Sequence, residues 1–130
     1  MKAPGTAYKN SVIGSDRQPA HMDQYADLPD TDEGDNGGVH INSGIPNKAF
    51  YLTATKLGGY SWDIAGKVWY DCLLDPTLKP FAAKQSNWGK CFGYFAGLTI
   101  KHAAKYTQSG KDVAGLIRQA WVEVGVNPTS

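Results

Sequence analysis

Gly34-Asp35-Asn36-Gly37-Gly38-Val39-His40-Ile41-Asn42-Ser43-Gly44-Ile45 divides this chain of 130 residues into two unlike parts. An acidic, proline-broken segment precedes it, and apolar residues at helical spacing follow it. One carboxylate and one imidazole stand five residues apart with a glycine pair between them. Asp35 could accept a hydrogen bond from one ring nitrogen of His40, fixing the tautomer and aiming the other nitrogen outward. Gly37 and Gly38 supply the backbone angles that such a tight return needs. A carboxylate orienting a histidine recurs in general-acid and oxyanion-stabilising sites, so Asp35 and His40 are the candidate catalytic residues. The same residues also read as a turn bearing a satisfied surface histidine.

Upstream, Pro4, Pro19 and Pro29 with Gly5, Gly14 and Gly34 interrupt any helical period. Residues 1–41 therefore read as a loop-rich arm ending in the Asp-His signature, with a single turn expected within Pro19 to Tyr25. So long an arm without regular structure suggests a segment that packs against something else. Asp27, Asp30, Asp32, Glu33 and Asp35 gather negative charge. An EF-hand loop counted from Asp30 would need glycine where Asp35 stands and glutamate where Ile41 stands, so this reads as a solvated acidic turn.

Downstream, residues 42–130 read as a helical domain, the two parts together forming one structural domain. A first helix is expected from Asn42 or Ser43, either of which can cap it, with Pro46 in the first turn and Gly58-Gly59 as its stop. Ile45, Ala49 and Leu52 form its apolar stripe. A second is expected from Trp62 to Leu74, with Ile64, Ala65, Val68, Trp69, Cys72 and Leu73 on one face and an Asp63–Lys67 surface pair. Asp75-Pro76 ends it. A turn from Pro76 to Pro80 leads to a third helical region, in which Trp88, Phe92, Phe95, Thr99, His102 and Tyr106 keep the period. Gly89, Gly93 and Gly97 share one of its faces, as close approach of another helix would allow. His102 reads as a partly buried helix histidine. The last helix carries Val113, Leu116, Ile117, Ala120, Trp121 and Val124 as a full stripe. Ser109 and Asp112 read as its capping box, with Ser109 at the cap. With little strand signal, the fold class is all-α: a small irregular helical bundle with the loop-rich arm attached.

Composition narrows the function. A net charge of +1 with no basic run argues against nucleic acid. No apolar stretch approaches the roughly 20 residues of a membrane span. Met1-Lys2-Ala3-Pro4-Gly5 does not read as a signal peptide, because no apolar core follows the lysine. Cys72 and Cys91 cannot form a zinc knuckle. They read as buried thiols, with a disulfide open to an exported chain.

Asp35-Asn36-Gly37-Gly38-Val39-His40-Ile41-Asn42-Ser43-Gly44-Ile45, continuing through Pro46-Asn47-Lys48-Ala49-Phe50-Tyr51-Leu52, closely resembles the C-terminal domain of thermolysin-like neutral zinc metallopeptidases. Met1-Lys2-Ala3-Pro4-Gly5-Thr6-Ala7-Tyr8 and Gln18-Pro19-Ala20-His21-Met22 resemble the longer bacterial members. Arg118-Gln119-Ala120-Trp121 and Val124-Gly125-Val126 resemble the last helix and C-terminus. The likeness fades from about Asp75 to Gly97, where an insertion or local rearrangement near Lys79 to Gly89 is expected.

This resemblance implies the C-terminal lobe of a secreted, extracellular zinc metalloendopeptidase acting on peptide or protein substrates. It carries an oxyanion-stabilising role onto His40 and the orienting role onto Asp35. It implies zinc in the full-length protein, held by a His-Glu-x-x-His helix and a later glutamate. His21, His40 and His102 are the only histidines, and none begins such a motif. The zinc ligands would lie upstream, in a missing N-terminal zinc-binding lobe. This chain alone is expected to bind no metal, to be inactive, and to self-associate through the exposed apolar surface that its partner lobe would cover. Two other readings stand beside this one. One is a free-standing, non-catalytic binding module that keeps the fold. The other is a hydrolase using His40 and Asp35 with Ser43, which capping by Ser43 and the lack of a Gly-x-Ser-x-Gly elbow disfavour.

Overall fold

The computed structural model describes residues 1–86 and 89–129. Six helices dominate them: α1 Asp35–Asn42, α2 Gly44–Leu57, α3 Ala65–Leu73, α4 Leu78–Ala82, α5 Gly89–Ala103 and α6 Val113–Glu123. The arm holds one hairpin of two-residue strands, β1 Lys9–Asn10 and β2 Gly14–Ser15, and a single 3-10 turn over Met22–Gln24. The protein is mostly helical, as its apolar spacing predicts.

The core follows from the stripes. α6 packs against α2 and α5, and α3 against α5. Ile45, Ala49, Val68, Cys72, Ala96, Ile117, Trp121 and Val124 are fully buried. Four aromatic rings fill the centre. Trp69 stacks on Trp121 at 5.8 Å between ring centroids, while Phe50 meets Trp69 edge-on at 5.3 Å and Phe95 meets Trp121 at 6.1 Å. The buried Trp121 Nε1–H donates to Thr99 Oγ1 at 2.9 Å, which leaves no indole donor unpaired.

Several boundaries differ from the expected ones, each for a local reason. α2 begins at Gly44, and Ser43 occupies its cap position without a side-chain capping bond. Asn42, the other expected cap, is buried and holds the backbone of Ala26: its Nδ2 donates to Ala26 O at 2.8 Å and its Oδ1 accepts from Ala26 N at 2.9 Å. α3 starts at Ala65, after Trp62. Trp62 instead stacks on Tyr60 at 4.6 Å in solvent, and Leu73 faces outward with 65% exposure. Asp63 does not pair with Lys67; its carboxylate accepts the N–H of Tyr60 at 3.1 Å.

The expected turn from Pro76 to Pro80 contains the start of α4, with Pro80 in its first turn, where a missing N–H costs little. α5 ends at Ala103, before Tyr106. Trp88 lies outside the described residues. What crowds Gly93 is not another helix but the C-terminal tail: Thr129 N donates to Gly93 O at 2.9 Å, and a Cβ there would stand 3.1 Å from Asn127 O. The cap of α6 is Asp112, whose Oδ1 accepts from Gly115 N at 2.9 Å, three residues beyond Ser109.

The arm is tied down at both ends of the helical part. Met22 N donates to Val124 O at 2.9 Å, and the His21 ring lies against Gly125, where a Cβ would come within 2.6 Å of it. Gln18 Nε2 donates to His40 O and Ser43 Oγ, each at 3.1 Å. This last attachment lays the arm beside the Asp-His stretch.

Candidate functional site

The site begins with a backbone reversal. Asp35, Asn36, Gly37 and Gly38 all have positive φ, at 56°, 48°, 76° and 77°. Four successive left-handed residues make a turn of the wrong hand for L-amino acids. Two glycines relieve it, and Asp and Asn are the side chains that best tolerate the rest. Backbone bonds hold the turn closed: Gly37 N donates to Pro29 O at 3.0 Å, and Asn36 N to Thr31 O at 2.8 Å. Gly38 also sits against Asn42 Nδ2, which a Cβ would approach to 2.6 Å.

Residues 39–42 then wind right-handed, and Asp35 is placed to cap them. Its Oδ2 accepts from the N–H groups of His40 and Ile41, each at 2.9 Å, while its Oδ1 meets His40 Nδ1 at 2.6 Å. One carboxylate therefore anchors the backbone of His40 and orients its ring. The N–H of Ile41, then the His40 ring, hold the Asp35 carboxyl below its ordinary range. The ring itself is open to solvent, with its side chain 84% exposed. With Nδ1 engaged, Nε2 is the nitrogen left for a ligand, and a protonated ring donates from both.

His40 and Asp35 line a pocket of about 390 Å³ with Ala7, Tyr8, Asp16, Arg17, Gln18 and Ile41. The arm supplies the facing wall. Asp16 accepts from the N–H of Gln18 at 3.0 Å, of Ala7 at 3.1 Å and of Gly5 at 2.9 Å, and these bonds lower its carboxyl, the Gln18 bond most. Tyr8 and Gln18 lie in stretches that carry the family resemblance but were given no site role, and Arg17 was not singled out at all. They flank the hairpin of the arm, whose closure brings them to one pocket and which no apolar periodicity announces.

Ser43 does not serve the ring. Its hydroxyl donates to the backbone oxygen of His40 at 2.6 Å, which removes it as a nucleophile for this imidazole. His102 lies elsewhere, buried at the end of α5, with Nε2 2.8 Å from Asp75 Oδ2. Asp75 is also buried and accepts from Thr77 N, Thr77 Oγ1 and Lys101 Nζ. The Thr77 hydroxyl first, then its N–H and the His102 ring, hold Asp75 well below the usual carboxylate range. Both cysteines are free. Burial, with Asp75 and Asp71 nearby, pushes the Cys72 thiol up to about 12. Among the described residues no three His, Cys, Asp or Glu side chains come together as metal ligands.

A second, apolar cavity of about 470 Å³ opens among α2, α3, α4 and α5, lined by Met1, Phe50, Trp69, Leu78, Phe92 and Phe95 among others.

Residues 1–126 match the family described as thermolysin metallopeptidase, alpha-helical domain. An extracellular metalloprotease of Pectobacterium carotovorum subsp. carotovorum is 48% identical over 126 residues, covering 97% of this chain and 32% of that protein. Protease PrtS of Photorhabdus sp. (strain Az29) is 48% identical over 126 residues, 97% of this chain and 31% of its own length. Among solved structures, the precursor of protealysin, a metalloproteinase from Serratia proteamaculans, superposes with a TM-score of 0.76 at 49% identity. That match covers 96% of this chain and 34% of that one. The chain thus spans about a third of the length of the relatives it matches.

Proposed function

Because the chain belongs to the thermolysin metallopeptidase family, as its alpha-helical domain, we propose that it is the catalytic C-terminal lobe of an extracellular zinc endopeptidase. In this reading His40 Nε2–H donates to the oxygen of the scissile peptide carbonyl as negative charge develops on it, and Asp35 orients the ring. The observation that carries the reading is the 2.6 Å contact between Asp35 Oδ1 and His40 Nδ1, made by a carboxylate already fixed by two backbone donors. A donor held in place before the reaction spends no reorganisation when charge appears, and such a group is worth roughly 3–4 kcal/mol in the transition state. The extracellular setting is supported by the name of the Pectobacterium relative.

Zinc belongs to the other lobe in this reading, and this chain contributes one wall of the peptide cleft. The apolar cavity rimmed by Met1, Phe50, Trp69 and Phe92 supports an obligate partner surface, since a free domain rarely leaves so apolar a depression to water. Left alone, the chain is expected to self-associate through it. Mixing the chain with a zinc-loaded N-terminal lobe of a relative tests the proposal. Peptidase activity that appears only in the mixture, together with loss of self-association in sedimentation, is the expected result. Stable mixing without activity would favour a non-catalytic binding module.

A further inference from the structure

Both carboxylates of the His40 pocket already accept from donors other than Arg17. Asp16 accepts from three backbone N–H groups, and Asp35 from two backbone N–H groups and the His40 ring. Arg17 lines the same pocket, is exposed, and among the described residues forms no ion pair. Its backbone is held even so. The Asp16 turn locks the backbone on one side, and Gln18, bonded to His40 O and Ser43 Oγ, locks it on the other. A guanidinium with five donors and, among the described residues, no ion pair, on a braced backbone in the pocket that also holds the oriented His40, is suited to grip a carboxylate in a bidentate manner.

We propose that Arg17 forms an anion subsite of the His40 cleft and takes a carboxylate carried by the substrate chain near the bond presented to His40. This inference rests on the cleft reading given above. The carboxylate belongs to an aspartate or glutamate side chain or to a chain terminus, and the two sources are separable. Among the described residues neither Asp16 nor Asp35 is paired with Arg17.

The test titrates three peptides into the isotope-labelled chain at low ionic strength, reading the Arg17 Nε–H and His40 ring signals. They are acetyl-Ala-Glu-Ala-amide, acetyl-Ala-Gln-Ala-amide and acetyl-Ala-Gln-Ala with a free carboxyl end. A carboxylate-bearing peptide is expected to move both residues' signals at concentrations about tenfold lower than the uncharged amide, the size expected for charged hydrogen bonds. Arg17→Gln abolishes that advantage while the His40 response to the amide remains, and Arg17→Lys, which keeps charge but not the fork, retains only part of it. An advantage of the glutamate peptide assigns a side-chain carboxylate; an advantage of the free-ended peptide assigns a terminus. If all three peptides move His40 alike, the cleft reading stands and the Arg17 subsite is overturned. If none moves His40, the cleft reading falls and the subsite with it.

Discussion

Asp35 holds a backbone angle, φ 56°, that costs a non-glycine residue on the order of 1 kcal/mol, and Asn36 beside it does the same. Strain of this kind persists only where surrounding bonds enforce it, and it gathers at functional sites. Here the enforcing bonds are the ones that aim the His40 ring. Asp35→Asn replaces one of two accepting oxygens with a donor, so one backbone N–H or the ring loses its partner. Hydrogen exchange at the amides of His40 and Ile41 is expected to rise at least about tenfold in that variant. The sign of the pH effect follows from the depressed carboxyl. A carboxyl lowered in the folded chain stabilises it above the unfolded value of about 3.9, and that contribution disappears as pH falls through the folded value. The Asp35 carboxyl carbon signal should therefore titrate below about 3.9. Titration at or above that reference would mean the three bonds are absent in solution. At this scale the sequence was legible in residue types and blind to hand. Asp, Gly-Gly and His announce an oriented imidazole, but only the left-handed run of four residues lets Asp35 reach forward to cap residues 39–42.

The helices were legible as stripes and illegible at their ends. Val113, Ile117, Ala120 and Trp121 are buried where period 3.6 puts them, because burial of an apolar face needs only spacing. The cap of α6 moved from Ser109 to Asp112, since Gln108 and Lys111 form an isolated bridge and turn over Ser109-Gly110 before the helix begins. Asp112→Ala is expected to lower stability by about 1 kcal/mol and Ser109→Ala by much less, read as shifts in the urea midpoint. Equal effects would restore Ser109 as the cap. Asp75 gives a second test at element scale. It ties the turn after α3 to the end of α5 through His102 and Lys101, and its carboxyl is strongly lowered by Thr77 first. Its contribution is present above the unfolded carboxyl value and lost as pH falls through the folded one. Asp75→Asn should lower the urea midpoint at about pH 6 and flatten its decline toward about pH 2. An unchanged acid profile would show that Asp75 does not govern it. The Asp75–His102 pair escaped sequence reading because the two residues are 27 positions apart and neither lies in a motif.

At the scale of the molecule, four aromatic rings and a tethered arm make one body. Trp121 is fully buried, stacks on Trp69 and satisfies its donor on Thr99, so Trp121→Ala should cost about 3–5 kcal/mol in urea unfolding. The expected loop-rich arm of residues 1–41 is shorter than its apolar spacing suggests, because α1 begins at Asp35 within it and a hairpin and a 3-10 turn lie upstream; its place beside the His40 pocket carried no sequence signal. The contacts Met22–Val124, Asn42–Ala26 and Gln18–His40 join residues far apart in sequence and carry no periodic signal. The arm makes an exposed histidine part of a pocket, beside the 2.6 Å Asp35–His40 contact that carries its proposed catalytic role. The most direct measurement is kcat for peptide hydrolysis by this chain combined with a zinc-bearing lobe of a relative, His40 against His40→Ala. A fall of about a hundredfold to a thousandfold in kcat with KM little changed is expected, the signature of a donor used only in the transition state. A variant with unaltered kcat would contradict it and leave the Asp35–His40 pair as a structural clasp.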